Sequence, residues 1–170
     1  IQRETNIDVP PTLRGEVWGC LLRVPPSART RYALLDHAVH HTAAKPTPHD
    51  RQLEVDIPRC HQYHPLLNSP SGSAQLRRIL KAWQIVYLRP EHVYWQGLDS
   101  LCAPFLTVNN RDEALAFAQL NAFVNRYIHW FYLKDNSEVI KEYLGKFYHL
   151  TAYHDPLLYQ HLKINGFDPE

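Results

Sequence analysis

Chemistry could start from the eleven histidines of the chain. His37, His40 and His41 fall at i, i+3 and i+4, so a helix would place two imidazoles on one face, as a metal site needs. His61 and His64 are also three apart. No Glu or Asp completes a His-Glu-x-x-His arrangement, however, and the first group borders a segment containing Pro46 and Pro48. Solvated surface histidines account for both groups better than a metal does. The three cysteines, Cys20, Cys60 and Cys102, are far apart and form no C-x-x-C pair. A disulfide framework or Cys-rich zinc site is not expected, and a reducing cytosolic setting fits. There is no G-x-S-x-G elbow for a serine nucleophile. There is neither a G-x-x-x-x-G-K-[ST] loop nor a G-x-G-x-x-G fingerprint, so the chain is not expected to bind a nucleotide itself.

Three other segments hold polar residues that core packing does not explain. They are Arg14-Gly15-Glu16-Val17-Trp18, Leu53-Glu54-Val55-Asp56-Ile57-Pro58-Arg59, and Tyr94-Trp95-Gln96-Gly97 running into Leu98-Asp99-Ser100-Leu101.

The elements that must position them read as helices nearly throughout. Pro10-Pro11-Thr12 leads into a short amphipathic helix with apolar residues at Leu13, Val17 and Leu21. A second helix is expected from about Ser27 to His40 on the stripe Tyr32, Leu35, Val39. His41 to Arg51 reads as a loop. Ser71-Gly72-Ser73 is expected to cap a strong helix with Leu76, Ile79, Trp83 and Val86. Pro90 is expected to start the next element, and Leu98 to Val108 reads as a buried helix bent near Pro104. Asn109-Asn110 should turn into one long helix carrying Phe117, Leu120, Val124, Ile128 and Phe131. Asp135-Asn136-Ser137 caps a further helix with Ile140, Leu144, Phe147 and Leu150. Asp155-Pro156 opens a last helix that ends near Gly166. No segment of comparable strength alternates with period two, and no fixed repeat is present. The predicted fold class is all-α.

Composition narrows the function further. With 18 basic and 17 acidic residues the formal charge is +1, which gives no reason to expect a nucleic-acid or anionic-membrane surface. No apolar stretch approaches the roughly 20 residues that span a bilayer, and no charged n-region with an apolar core opens the chain. The chain begins at Ile1, contains no Met, and stops at Phe167-Asp168-Pro169-Glu170. This pattern suggests a segment of a longer polypeptide cut within a domain, with exposed apolar patches as the expected consequence.

In that order, the three segments resemble the R-x-x-x-W, I-x-x-D-x-x-R and Y-x-Q signatures of the TBC domain, the Rab GTPase-activating module. Val9-Pro10-Pro11-Thr12-Leu13-Arg14 resembles the opening helix of that family. Tyr153-His154-Asp155-Pro156-Leu157 through His161-Leu162 to Gly166-Phe167 resembles its D-P-x-L-x-x-H-L-x-x-x-G-F stretch, which further helices follow in TBC domains. The strings 50–63 and 93–101 are similar to the branch in which a kinase-like domain precedes the TBC domain and a rhodanese-like domain follows it. The resemblance implies one domain over residues 1–170, the N-terminal portion of a multi-helix TBC fold, with no second domain in the chain.

The resemblance also implies a function: acceleration of GTP hydrolysis on a Rab-family GTPase in vesicle trafficking. Arg59 would be the arginine finger and Gln96 the glutamine finger. A guanidinium brings a permanent charge and fixed donors to the γ-phosphate, and an arginine supplied in trans is worth about 10³ to 10⁵ in rate, or roughly 4 to 7 kcal/mol. The Gln96 amide has a donor and an acceptor with which to orient the attacking water. Asp56 would accept hydrogen bonds that fix the Arg59 loop, or pair with Arg14. Pro58 would force an extended or turn geometry before the finger. Tyr94 would pack beneath Gln96, and Trp18 would anchor the core. No cofactor- or metal-binding residue is expected, because GTP and Mg²⁺ come with the partner GTPase. A cytoplasmic location, with recruitment to endomembranes through a Rab and no membrane insertion, follows from the same resemblance. The sequence departs from the family at Leu53, Cys60, Trp95 and Leu98, where Ile, Thr, a small residue and Met are usual. The bulk of Trp95 beside Gln96 keeps open a second reading: a non-catalytic module that docks a Rab or another protein within a larger assembly.

Overall fold

The computed structural model describes residues 8–41, 47–87 and 92–167, the side chains of 36–41 and 87 excepted. The expectations for the side chains of His37, Val39, His40 and His41, and for Pro90, lie outside the described residues. Those that are described form eight α-helices and no β-strand: α1 (Arg14–Leu21), α2 (Ala28–His41), α3 (Asp50–Asp56), α4 (Pro70–Tyr87), α5 (Leu98–Val108), α6 (Glu113–Phe123), α7 (Ser137–His154) and α8 (Pro156–Ile164). The fold is all-α, as expected. The chain divides into two compact units, residues 1–128 and 129–170.

The first unit has a continuous apolar core. Leu76, Ile79, Leu80 and Trp83 of α4 are buried, together with Leu98, Cys102 and Leu106 of α5 and Phe117 and Leu120 of α6. Their spacing of three and four puts one face of each helix inward. Helix α4 packs on α2, α5 and α6, and on the turn after α3. Val86, expected on the same stripe, is 40% exposed.

Charged residues stitch this unit at its rim. Glu113, the first residue of α6, accepts from the Tyr32 hydroxyl of α2 at 3.0 Å and from Arg78 Nε of α4 at 2.9 Å. Helix α1 docks through Gly15, where a Cβ would meet Asn109 Oδ1 at 2.4 Å. That close approach lets Gln119 Nε2 donate to the Gly15 carbonyl at 2.6 Å, while Asn109 Nδ2 donates to Gln119 Oε1 at 2.7 Å. Asn109 and Gln119 are buried and satisfied, as an interior amide pair must be.

Several boundaries differ from expectation, each for a local reason. The cap of α4 is Ser69, not Ser71: its hydroxyl accepts from Gly72 N at 3.0 Å, with Pro70 as the first helical residue. The loop expected to reach Arg51 ends earlier, because Asp50 accepts from Thr47 N and Thr47 Oγ1 at the start of α3. The long helix expected out of Asn109-Asn110 begins only at Glu113. Asn110 and Arg111 have positive φ, 51° and 74°, and reverse the chain, so Asp112 becomes the N-cap by accepting from Leu115 N at 2.9 Å. That helix gives way at Val124–Ile128 to a wider π-helical turn.

In the second unit, Asp135 Oδ1 accepts from Ser137 N and Oγ at the start of α7. Asp155 accepts from Leu158 N at the start of α8. Bonds from Gly166 N to Lys163 O and from Phe167 N to Leu162 O close α8 in a Schellman cap. Helices α7 and α8 bury no residue fully. Phe147 and Leu150, expected on the apolar stripe of α7, are exposed, as are Leu157 and Ile164 of α8.

Candidate functional site

An open cleft of about 230 Å³ is lined by Asp56, Arg59, Cys60, Gln96, Gly97, Asp99 and Ser100. Two segments nearly forty residues apart in sequence build it, and both lie in the first unit.

The first segment is the C-terminal end of α3 and the turn beyond it. Leu53 and Ile57 are buried apolar anchors of this stretch. Pro58 lacks an N–H and cannot continue the α-helical ladder, so Ile57–Arg59 tightens into a 3₁₀ turn. Ile57 itself stays helical, with φ −54° and ψ −47°. Of the extended or turn geometry expected before Arg59, the structure has the turn. Arg59 leaves this turn with its side chain 60% exposed, while its partner Asp56 is 2% exposed. Arg59 Nη2 lies 2.9 Å from Asp56 Oδ1, and Arg59 Nε donates to the Val55 carbonyl at 3.0 Å.

A buried carboxylate is costly unless fully engaged. Asp56 meets that demand: besides Arg59 it accepts from Gln52 Nε2 at 2.9 Å and from the Tyr94 hydroxyl at 3.1 Å. Burial first, then the charges of Asp99 and Asp56, pushes the Tyr94 hydroxyl well above the usual tyrosine range. It is therefore a hydrogen-bond donor at any physiological pH.

The second segment is the turn into α5. Gly97 has φ 103°, a left-handed conformation that favours glycine, and it is the N-cap of α5. Asp99 Oδ1 accepts from Gly97 N at 3.1 Å. Leu98 N donates to the Trp95 carbonyl at 3.3 Å, and Leu101 N donates to the Gly97 carbonyl at 3.0 Å. These bonds hold the backbone around Gln96. The Gln96 side chain is exposed, and its amide makes no hydrogen bond to the described residues. Trp95, beside it, is 36% exposed.

The structure thus brings Arg59, Gln96 and Asp56 to one cleft, with Tyr94 bonded beneath it and Trp95 next to Gln96. It does not bring Arg14 or Trp18 there. Arg14 Nε donates to the Val9 carbonyl at 2.8 Å, and Arg14 Nη2 lies 3.6 Å from Asp8. Of the two roles expected for Asp56, the structure has the bond to Arg59 and not the pair with Arg14, since Arg59 lies three residues from Asp56, across the turn. Trp18 packs edge-on against Phe105 with ring centroids 5.8 Å apart, and it is half-buried rather than part of the buried core. Gln52, Cys60, Asp99 and Ser100 are additional members of the site. Gln52 was readable from its i, i+4 spacing to Asp56, and Asp99 from its place in the first turn of a helix capped by glycine.

The cleft has no cluster of metal ligands: among the described residues no three His, Cys, Asp or Glu converge to hold an ion. Cys60 is buried, and burial, followed by the charge of Asp99, pushes its thiol up to about 12. Cys60 is therefore a thiol and not a thiolate nucleophile at neutral pH.

Comparison with known proteins places this fold in a class. Residues 11–170 match the Rab-GTPase-TBC domain family, and the chain belongs to that family. A TBC domain-containing protein kinase-like protein of Gallus gallus is 51% identical over 170 residues, which is all of this chain and 18% of that protein. Its counterpart in Dictyostelium discoideum is 42% identical over 99% of this chain and 16% of its own length. The chain therefore spans less than a fifth of these relatives. The crystal structure of the Ypt/Rab-GAP domain of Gyp1p aligns with a TM-score of 0.74 at 22% identity, over 95% of this chain and 61% of that one. At that identity the match speaks for the fold. Among the described residues, no helix is long and apolar enough to cross a membrane.

Proposed function

We propose that the domain accelerates GTP hydrolysis on a Rab-family GTPase in vesicle trafficking, with Arg59 and Gln96 entering the partner's active site in trans. The observation that carries this reading is the convergence of Arg59 and Gln96 on one open cleft. A guanidinium has five N–H donors. Two bonds engage Arg59 with Asp56 and Val55, and its other donors remain to bind charge developing on the γ-phosphate. Asp56 orients Arg59 without burying it. The uncommitted Gln96 amide can accept from the attacking water and donate to the phosphate. Nothing in this mechanism requires a nucleotide, metal or cofactor bound by the chain itself, since GTP and Mg²⁺ belong to the GTPase. The domain acts in the cytoplasm and reaches endomembranes through the Rab.

The test is single-turnover GTP hydrolysis across a panel of GTP-loaded Rab proteins. Acceleration by the parent chain that Arg59→Ala removes supports the reading. Acceleration that survives both Arg59→Ala and Gln96→Ala sinks it. Trp95 favours a second reading, in which the same face docks a Rab or another protein without catalysis. That reading expects binding of a Rab with no change in its hydrolysis rate.

A further inference from the structure

Asp56 bonds both segments of the finger cleft, and one of its donors, Gln52, has no part in the finger chemistry. Gln52 is half-buried on α3, one turn before Asp56. Its Nε2 donates to Asp56 Oδ1 at 2.9 Å. Arg59 Nη2 donates to the same oxygen, also at 2.9 Å. The other oxygen, Oδ2, accepts from the Tyr94 hydroxyl at 3.1 Å. Arg59 thus meets Asp56 through one nitrogen and one oxygen, while its Nε is engaged by the Val55 carbonyl.

We propose that Gln52 is a positioning residue: by sharing Asp56 Oδ1 it confines Arg59 to a single-pronged bond and leaves the rest of the guanidinium to the partner's phosphate. This role rests on the GTPase-activating reading for its consequence in catalysis, although the shared oxygen is a property of the chain alone.

A carboxylate has about four lone-pair positions, two on each oxygen. Gln52 and Arg59 take both positions on Oδ1, and Tyr94 takes one on Oδ2. The Asp56 side chain is 2% exposed, so water is not at hand to replace a lost donor, and a buried carboxylate short of donors is costly. Without Gln52 the deficit falls on the remaining neighbours. Tyr94 is buried and already bonded, whereas the Arg59 side chain is 60% exposed and has room to move. A guanidinium prefers to grip a carboxylate as a fork, with two parallel bonds. Each N–H that Arg59 turns inward is one fewer for charge developing on the phosphate. The guanidinium is also drawn out of the cleft, and misplacing a catalytic group by about 1 Å can cost on the order of 10²-fold in rate. By satisfying Asp56 from its own helix, Gln52 keeps the pull on Arg59 low without touching substrate.

The test reads Arg59 first and activity second. In the full chain, rotation of the Arg59 guanidinium about its Nε–Cζ bond is followed by heteronuclear NMR, with the signal assigned from Arg59→Lys. The parent is compared with Gln52→Ala and with Gln52→Met, which keeps the length but has no donor and gives the same readout if the alanine variant does not fold. A tighter grip by Asp56 slows this rotation in the variants by on the order of tenfold, the worth of one hydrogen bond to a charged group. Rotation that is unchanged or faster overturns the proposal, since a Gln52 that merely braced the fold would loosen Arg59 when lost. The activity arm is separate. Where the parent accelerates hydrolysis on a Rab, each variant lowers the maximal single-turnover rate about ten- to a hundredfold and leaves the half-saturating concentration of the chain unchanged. A folded variant with the parental rate, or a loss confined to the half-saturating concentration, also overturns the proposal. A parent without activity contradicts the GTPase-activating reading, while the NMR data still decide whether Gln52 restrains the grip of Asp56 on Arg59.

Discussion

Arg59 and Gln96 share one cleft but are supported in different ways. Arg59 is held by its side chain, through a salt bridge to buried Asp56 and a bond to the Val55 carbonyl. Gln96 is held by its backbone, through the left-handed Gly97 and the Asp99 bond to Gly97 N, and its amide bonds none of the described residues. The difference suits the two proposed tasks. A long charged side chain loses rotamer entropy unless something restrains it beforehand, whereas an amide in the proposed role of orienting a mobile water would gain from adjusting to it. It also implies that stability and catalysis separate differently at the two positions.

Several expected outcomes would break or sharpen this contrast. The largest is in activity: Arg59→Ala should remove about 10³ to 10⁵ of the acceleration of a Rab GTPase, and Gln96→Ala about 10², both measured by single-turnover hydrolysis. Stability should follow the supports. Asp56→Ala deprives Tyr94 and Gln52 of their acceptor and should destabilise by about 2–3 kcal/mol in urea unfolding. Gln96→Ala should stay within about 0.5 kcal/mol of the parent, as for a surface change. Equal losses for the two would contradict the contrast. Gly97→Ala meets no atom within 4 Å, so its cost is backbone strain alone, about 1 kcal/mol.

The smallest effect is in pH dependence. Burial opposes ionisation of Asp50, but hydrogen bonds from Lys81 and Thr47 outweigh it and hold the carboxyl below its ordinary 3.8. A lowered folded value means that the stabilisation is complete above about pH 3.8 and is lost as pH falls through the folded value. Acid should therefore loosen the start of α3, which leads to Arg59. Thermal unfolding between pH 5 and pH 2 should show a smaller acid loss for Lys81→Met than for the parent.

A second contrast separates the two compact units. In residues 1–128 the helical stripes predicted from spacing, such as Leu76, Ile79 and Trp83, are buried. In α7 and α8 the same kind of stripe, including Phe147 and Leu150, stays exposed. Helical periodicity identifies an apolar face equally well in both cases, but whether that face is covered depends on tertiary neighbours, which periodicity does not encode.

The same limit governs how much of the site was legible. Arg59, Gln96, Asp56 and Tyr94 stood out because they recur in short motifs, and motif spacing reflects local turns. The sequence left Arg14 as a surface charge or a partner of Asp56, because pairing across distant segments is a three-dimensional choice, and Arg59 is the residue that pairs with Asp56. Cys60 carried no signal of its own: a lone thiol joins a cleft only when two distant turns meet around it. Helix ends at Ser69 and Asp112 were misjudged because several Ser, Asn and Asp residues competed for each cap, and positive φ at Asn110 and Arg111 decided one of them.

The most direct measurement is single-turnover hydrolysis on a panel of GTP-loaded Rab proteins by four forms of the chain: parent, Arg59→Ala, Gln96→Ala and the double variant. The account predicts that at least one Rab is accelerated by the parent, that each single variant loses most of this, and that the double variant equals the GTPase alone. Acceleration retained by the double variant, or binding to a Rab by a folded parent without acceleration on any member of the panel, would contradict it.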